Sequence, residues 1–241
     1  MPVFCLSRPR IATAFFVLTV AIAAPGLGAW ADIPVTQAAV KGLPTEKASP
    51  PSLPDIGLWM LAADGNVADW LEGPYQGKML LEPINVIIVD AFATSSEEAA
   101  ARLLAACGKA GFPQREGHSG GYSAMIGDAV LSQFPAGADD CFSDALFTFS
   151  NNHGRIFGPV EWKGTFVFTG AFSRESVDVV TKVKHLFQSF DRARDAFTQK
   201  MASKSEYQVS AFVPLGNAII GDDALTTGDH DGVALLLRAT R

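Results

Sequence analysis

Residues 84–111 read INVIIVDAFATSSEEAAARLLAACGKAG, and this stretch decides the fold. Ile84 to Val89 is a compact run rich in β-branched side chains, which predicts a strand buried on both faces. Ser95 or Ser96 then caps a helix, with Glu97 and Glu98 in its first turn, where they suit the positive end of the helix dipole. Ala100, Leu103, Leu104 and Cys107 recur at helical spacing, and Gly111 supplies a stop. A central strand followed by a capped helix over Ser96–Ala110, packed on the strand's own sheet, is the unit the rest of the chain must complete.

Downstream, the pattern is mainly strand. Leu146 to Ser150 alternates, Asn151-Asn152-His153-Gly154 predicts a turn, and Arg155-Ile156-Phe157 a short return strand. Thr165 to Ser173 alternates well, with Phe166, Phe168, Gly170 and Phe172 on one face. Val179–Phe187, Tyr207–Val213 and Val233–Ala239 read as further strands. Phe190 to Met201 reads as a second helix, with Ala193, Phe197 and Met201 four apart. Residues 117–127 are rich in glycine and serine and predict a loop without a phosphate-binding fingerprint. Upstream, Leu58 to Leu61 reads as a short strand turned by Asp64-Gly65-Asn66, and Gly73-Pro74 and Gln76-Gly77 mark further turns. The expected class is α+β: a single domain with a mixed or antiparallel sheet of five or more strands, covered mostly on one side by two main helices.

The amino-terminal part has a different character. Arg8 and Arg10 precede an apolar run from Ile11 to Ala24, and Ala29-Trp30-Ala31 offers a small-residue cleavage site. Residues 1–31 therefore predict a secretory signal peptide, too short to span a bilayer, which needs about 20 apolar residues. Residues 32–55, with Pro34, Pro44, Pro50, Pro51 and Pro54, predict a linker, and residues 56–241 the folded domain. The expected location is the periplasm or the exterior, with no transmembrane anchor after cleavage. Residues 1–31 hold two of the 19 basic residues and none of the 25 acidic ones, so the remainder carries about −8, which argues against nucleic acid. Cys5 leaves with the signal. Cys107 and Cys141 are expected to pair in an oxidising compartment, a bridge worth about 3–4 kcal/mol; two buried free thiols are the alternative.

Candidate chemistry rests on four histidines. His153, two residues before Arg155, suits anion binding or proton transfer, or else a turn that bonds the backbone. His185 lies in a mostly apolar segment, where a satisfied core residue is the plainer reading. His118 sits in the glycine-rich loop, and His230, between Asp229 and Asp231, reads as a solvated turn, with a metal-ligand triplet as the alternative. There is no H-E-x-x-H and no C-x-x-C, so neither a metal nor a cofactor is expected. Phe166, Phe168, Phe172, Phe187, Phe190 and Phe197 form either a core between sheet and helix or the lining of an apolar pocket.

The order of several segments resembles the LssY C-terminal domain family. They are Pro83-Ile84-Asn85-Val86, Ala110-Gly111-Phe112, Asn152-His153-Gly154-Arg155-Ile156-Phe157, Phe168-Thr169-Gly170-Ala171-Phe172, and the run from His185 to Asp195. The resemblance is remote and covers about residues 83–200, with its last segment the most specific. It maps family positions onto His153, Arg155, His185, Asp191, Arg194 and Asp195. Two acidic positions of the family pattern are Phe187 and Ser189 here, which removes any metal or base role that those acids would carry. The resemblance implies association with the cell envelope, beside membrane phosphatases acting on lipids. The resulting expectation is a non-enzymatic envelope domain that binds a partner protein or a small apolar or anionic ligand through His153, Arg155, His185 and Arg194. The alternative is a hydrolase of phosphate or ester groups, with His153 and His185 as acid and base, Arg155 holding the anion and Asp191 orienting a histidine. In that reading the two histidines and Arg155 must share one cleft.

Overall fold

The computed structural model describes residues 43–117, 120–135, 140–178, 180 and 184–241. The predicted signal peptide, the first part of the predicted linker, Cys5 and His118 lie outside the described residues. In chain order, a 3-10 turn (Leu43–Thr45) precedes β1 (Lys47–Ala48), β2 (Ile56–Gly57), β3 (Met79–Leu80), β4 (Val86–Asp90) and α1 (Ser96–Ala110). Next come β5 (Gln114–Glu116), β6 (Ser123–Ile126), β7 (Ala129–Phe134), β8 (Asp140–Ser143), β9 (Asn151–Trp162), β10 (Thr165–Asp178) and β11 (Lys184–Ser189). The chain closes with α2 (Phe190–Lys204), β12 (Tyr207–Pro214), β13 (Leu225–Thr226) and β14 (Val233–Ala239). Among the described residues, twelve strands form one sheet whose main path runs β1-β2-β6-β7-β9-β10-β4-β14-β12, with β11 on β10 and β5-β8 joined to β9. β4 and β14 pair in parallel and the other pairings in this sheet are antiparallel, so it is mixed. The class is α+β, as the sequence implies.

β4 is central and wholly buried, and its side chains divide between two cores. Val86 and Ile88 join Leu103, Phe168, Phe172 and Phe197 beneath the helices. Ile87 and Val89 join Ile56, Met60, Val167 and Leu236 on the opposite face. Both faces of the sheet are thus covered. The helices cover one, and the irregular segment before β4 together with β2 and β6 contributes to the cover of the other.

α1 forms for the local reasons its sequence suggests. The Ser95 hydroxyl accepts from the Glu98 amide at 3.2 Å, and the Glu98 carboxylate accepts from the Thr94 amide at 2.7 Å. Gly111 ends the helix at φ 79°, a left-handed conformation that favours glycine. Ala99, Leu103, Ala106, Cys107 and Ala110 form the buried stripe, while Leu104 is only half-buried. The stripe is therefore turned toward the alanines relative to the expected face. This brings α1 close to α2, and the Phe172 and Phe197 rings stack below them at 4.1 Å. The aromatic set divides: Phe166, Phe168, Phe172 and Phe197 fill the helix-side core, and Phe187 and Phe190 pack in a separate cluster with Trp70 and Leu80.

Four expectations are corrected. Asn151-Asn152-His153-Gly154 is not a turn but the first third of the twelve-residue strand β9, paired along β10. Gly154 is there for close approach, since a Cβ would meet the Phe172 ring and lie 2.6 Å from the Ala171 carbonyl oxygen. The 117–127 segment contains a strand, β6, which pairs with β2 and β7. Residues 43–55 are not a free tether: β1 pairs with β2, and Leu53 is buried in the second core. Finally, the Cys107–Cys141 bridge is not formed, and both thiols are free and buried. Cys107 lies in the helix-side core, whereas Cys141 points to the other side of β8 from Phe142, which shares the Cys107 core. Alternation along β8 puts the two sulfurs on opposite faces of the sheet.

Candidate functional site

The sheet face away from the helices carries a cavity of about 190 Å³. Its floor follows from strand alternation. Asn151, His153 and Arg155 are alternate residues of β9, and Glu175 lies on the same face of neighbouring β10. The register places Asn151 opposite Glu175, His153 opposite Ser173 and Arg155 opposite Ala171. β11, on the other side of β10, brings His185, and β8 brings Cys141 and Ser143. Glu82, just before β4, and Tyr122, just before β6, complete the interior. Trp70, Leu71 and Phe147 add apolar surface, with Leu71 and Phe147 exposed at the mouth.

The interior is polar and closely coupled. The Glu175 carboxylate oxygen lies 2.8 Å from His185 Nδ1 and 3.8 Å from His153 Nδ1, and accepts a hydrogen bond from Asn151 Nδ2 at 2.8 Å. His153 Nδ1 is also 2.9 Å from Asn151 Oδ1, and its Nε2 is 3.4 Å from the Ser173 hydroxyl. The Arg155 guanidinium stacks on the Tyr122 ring with its carbon 4.4 Å from the centroid. Glu82, Glu175, Arg155 and His185 are all buried. Burial pushes the Glu82 carboxyl up to about 7, with the Arg155 charge opposing and those of Asp69 and Glu175 adding. Burial likewise pushes the Cys141 thiol up to about 11. Chemically, this arrangement offers a carboxyl whose proton affinity burial raises, a His–Glu–His row and a guanidinium around one small space.

The structure brings His153, Arg155 and His185 together, as the shared-cleft expectation requires. It does not bring Asp191 or Arg194 to them. Those residues begin α2 and belong to a second network. Arg194 Nη1 donates to Asp231 at 2.7 Å and to the Val233 carbonyl at 2.8 Å, its Nε donates to Asp195 at 2.9 Å, and Asp191 lies 3.1 Å away. Asp191 does approach a histidine, but it is His230, at 3.3 Å, whose Nε2 is 2.9 Å from Asn217 Oδ1. His230 is therefore a buried network residue and not the solvated turn expected from its acidic neighbours. Asp191, His230 and Asp231 have the donor types for a metal ion, yet the Arg194 guanidinium already holds both carboxylates.

Glu82 and Glu175 are the residues that sequence reasoning missed. Glu82 is a lone acid inside the apolar run from Met79 to Ile84, and Glu175 continues the β10 alternation two residues past Ser173. The fold and the site define an α+β domain with a charged, partly aromatic cavity on its helix-free face. Comparison with protein-family models, curated proteins and solved structures finds no match to this chain.

Proposed function

We propose that this is an exported protein of the cell envelope whose working part is a small-molecule binding site in the cavity under β9, β10 and β11. The observation that carries the reading is the meeting of Glu82, Glu175, His153, Arg155 and His185, drawn from four separate segments, around one space of about 190 Å³. Buried charged groups cost stability unless they are well paired, so Glu82, Glu175 and Arg155, buried together around an open space, favour binding over packing. Export is supported by Arg8, Arg10, the apolar run and Ala29-Trp30-Ala31, and envelope association by the LssY-like order of segments. Among the described residues, no helix is long and apolar enough to cross a membrane.

Two measurements test this. Mass spectrometry of exported protein should give a chain starting at or near Asp32, and an intact Met1 on secreted material would sink the export reading. A small-molecule library screened by thermal shift, with hits mapped by NMR, should move the ring signals of His153 and His185. Hits that all map elsewhere would remove the cavity from the proposal.

A second reading, hydrolysis of phosphate or ester groups, draws on Glu82, whose carboxyl burial pushes up to about 7 and which lines the same cavity as the two histidines. In it, Glu175 replaces Asp191 as the group that orients a histidine. Generic phosphate and ester substrates should show turnover that His153→Ala or His185→Ala abolishes. No turnover by the parent protein leaves the binding reading alone.

A further inference from the structure

We infer that the cavity takes an organic cation, a small ammonium compound, and that Glu82 is the carboxylate that receives it. The inference rests on the binding reading above and names its ligand class. Glu82 is 7% exposed and lines the cavity. Its backbone is fully engaged: the amide donates to the Ala68 carbonyl at 3.0 Å, and the carbonyl accepts from the Met60 amide at 3.0 Å. Its carboxyl is different. Among the described residues, no group donates a hydrogen bond to it, and its interactions are the charges of Arg155, Asp69 and Glu175. Glu175, by contrast, has Asn151 and His185 at 2.8 Å. The Glu82 carboxyl, in a largely buried residue, lines the cavity with no protein donor among the described residues, and a ligand that brings a donor there is favoured on binding.

The remaining lining selects the charge of that donor. Glu72, Glu82, Glu116 and Glu175 face the space, against the single guanidinium of Arg155, which is stacked on Tyr122. An anion, which Arg155 and the histidines suggest when read alone, meets more carboxylates than cations here. An ammonium group meets complementary charge at Glu82 and the aromatic side chains of Trp70 and Phe147 in the lining. The pH behaviour of Glu82 agrees: burial holds its carboxyl near 7, and a cation beside it favours the ionised form.

Three probes with one ring and different heads separate the possibilities: 2-phenylethylamine, 2-phenylethanol and 3-phenylpropionate. Calorimetry on the purified protein at pH 8 and low salt should rank the amine about tenfold or more above the alcohol, with the acid weakest. Glu82→Gln should cost the amine about tenfold more than it costs the alcohol. NMR should place the bound amine beside the His153 and His185 rings. An acid that binds as well as the amine, full amine affinity in E82Q, or no amine binding at millimolar concentration overturns the inference. If the acid or alcohol then still moves the histidine signals, the binding reading survives. If library ligands move them in no case, that reading falls as well.

Discussion

Glu82 and Asp90 stand at the two ends of one buried stretch, eight positions apart, and have opposite fates. Asp90 is wholly buried at the end of β4. Its carboxylate accepts from the amides of Phe92 and Ala93 at 2.8 and 3.1 Å, from Arg102 Nε at 2.6 Å and from the Tyr207 hydroxyl at 3.0 Å. Burial pushes its carboxyl up, but Arg102, the two amides and Tyr207 outweigh burial and hold it below the usual carboxylate range. Glu82 is nearly as buried, lacks such donors among the described residues and is pushed up to about 7. Burial is common to both, so the donors make the difference. Where the fold supplies four donors, the acid fastens strand to helix; where it supplies none, the acid faces a cavity.

The largest break in this comparison is Asp90→Ala, which leaves Arg102 without its carboxylate and Tyr207 without its acceptor. The expected loss is about 3–5 kcal/mol in urea unfolding at pH 7. Acid should act on the same network. The folded carboxyl lies below its unfolded value, so its stabilisation is present above the unfolded value and is lost as pH falls through the folded one.

Glu82→Gln should act in the other direction. Its folded carboxyl, near 7, lies above the ordinary 4.5, so folding favours the protonated form. The wild type is therefore relatively more stable below 4.5 and loses that advantage as pH rises to 7. E82Q should gain on the wild type by up to about 3 kcal/mol at pH 8 and by nearly nothing at pH 4, as read by paired denaturation curves. A pH-independent difference would show that Glu82 does not titrate in this range.

Gly154→Ala forces β9 away from Phe172 and disturbs His153 and Arg155 while sparing Asp90. It should cost about 1–3 kcal/mol, measured by thermal unfolding, and shift the histidine NMR signals. The smallest effect is on the thiols, which report the two sides separately. Cys141, on the cavity side and 6% exposed, should alkylate before Cys107, which is wholly buried under the helices. Equal rates would mean that the two sides open together.

Legibility in the sequence followed the range of the interactions. The β4–α1 unit was readable because its causes are local: a β-branched run, a serine cap, a glycine stop. The start of β9 was misread because Asn-Asn-His-Gly has turn chemistry, and only pairing with β10 across about 20 residues overrides it. His153, Arg155 and His185 were legible as residue types. Their meeting needed the register of β9, β10 and β11. Glu82 and Glu175 went unread because an acidic side chain in sequence says nothing of the walls around it.

By itself, the sequence determined the α+β class, the central strand, both helices and the caps of the first, because hydrophobic period and capping act within a few residues. Tertiary structure alone decided which acid became a fastener and which a cavity wall, that Asp191 meets His230 instead of His153 or His185, and that Cys107 and Cys141 lie on opposite faces. Those outcomes depend on donors, rings and strands brought from far along the chain, and the dielectric and the hydrogen-bond partners of a buried charge exist only once the sheet has closed over it.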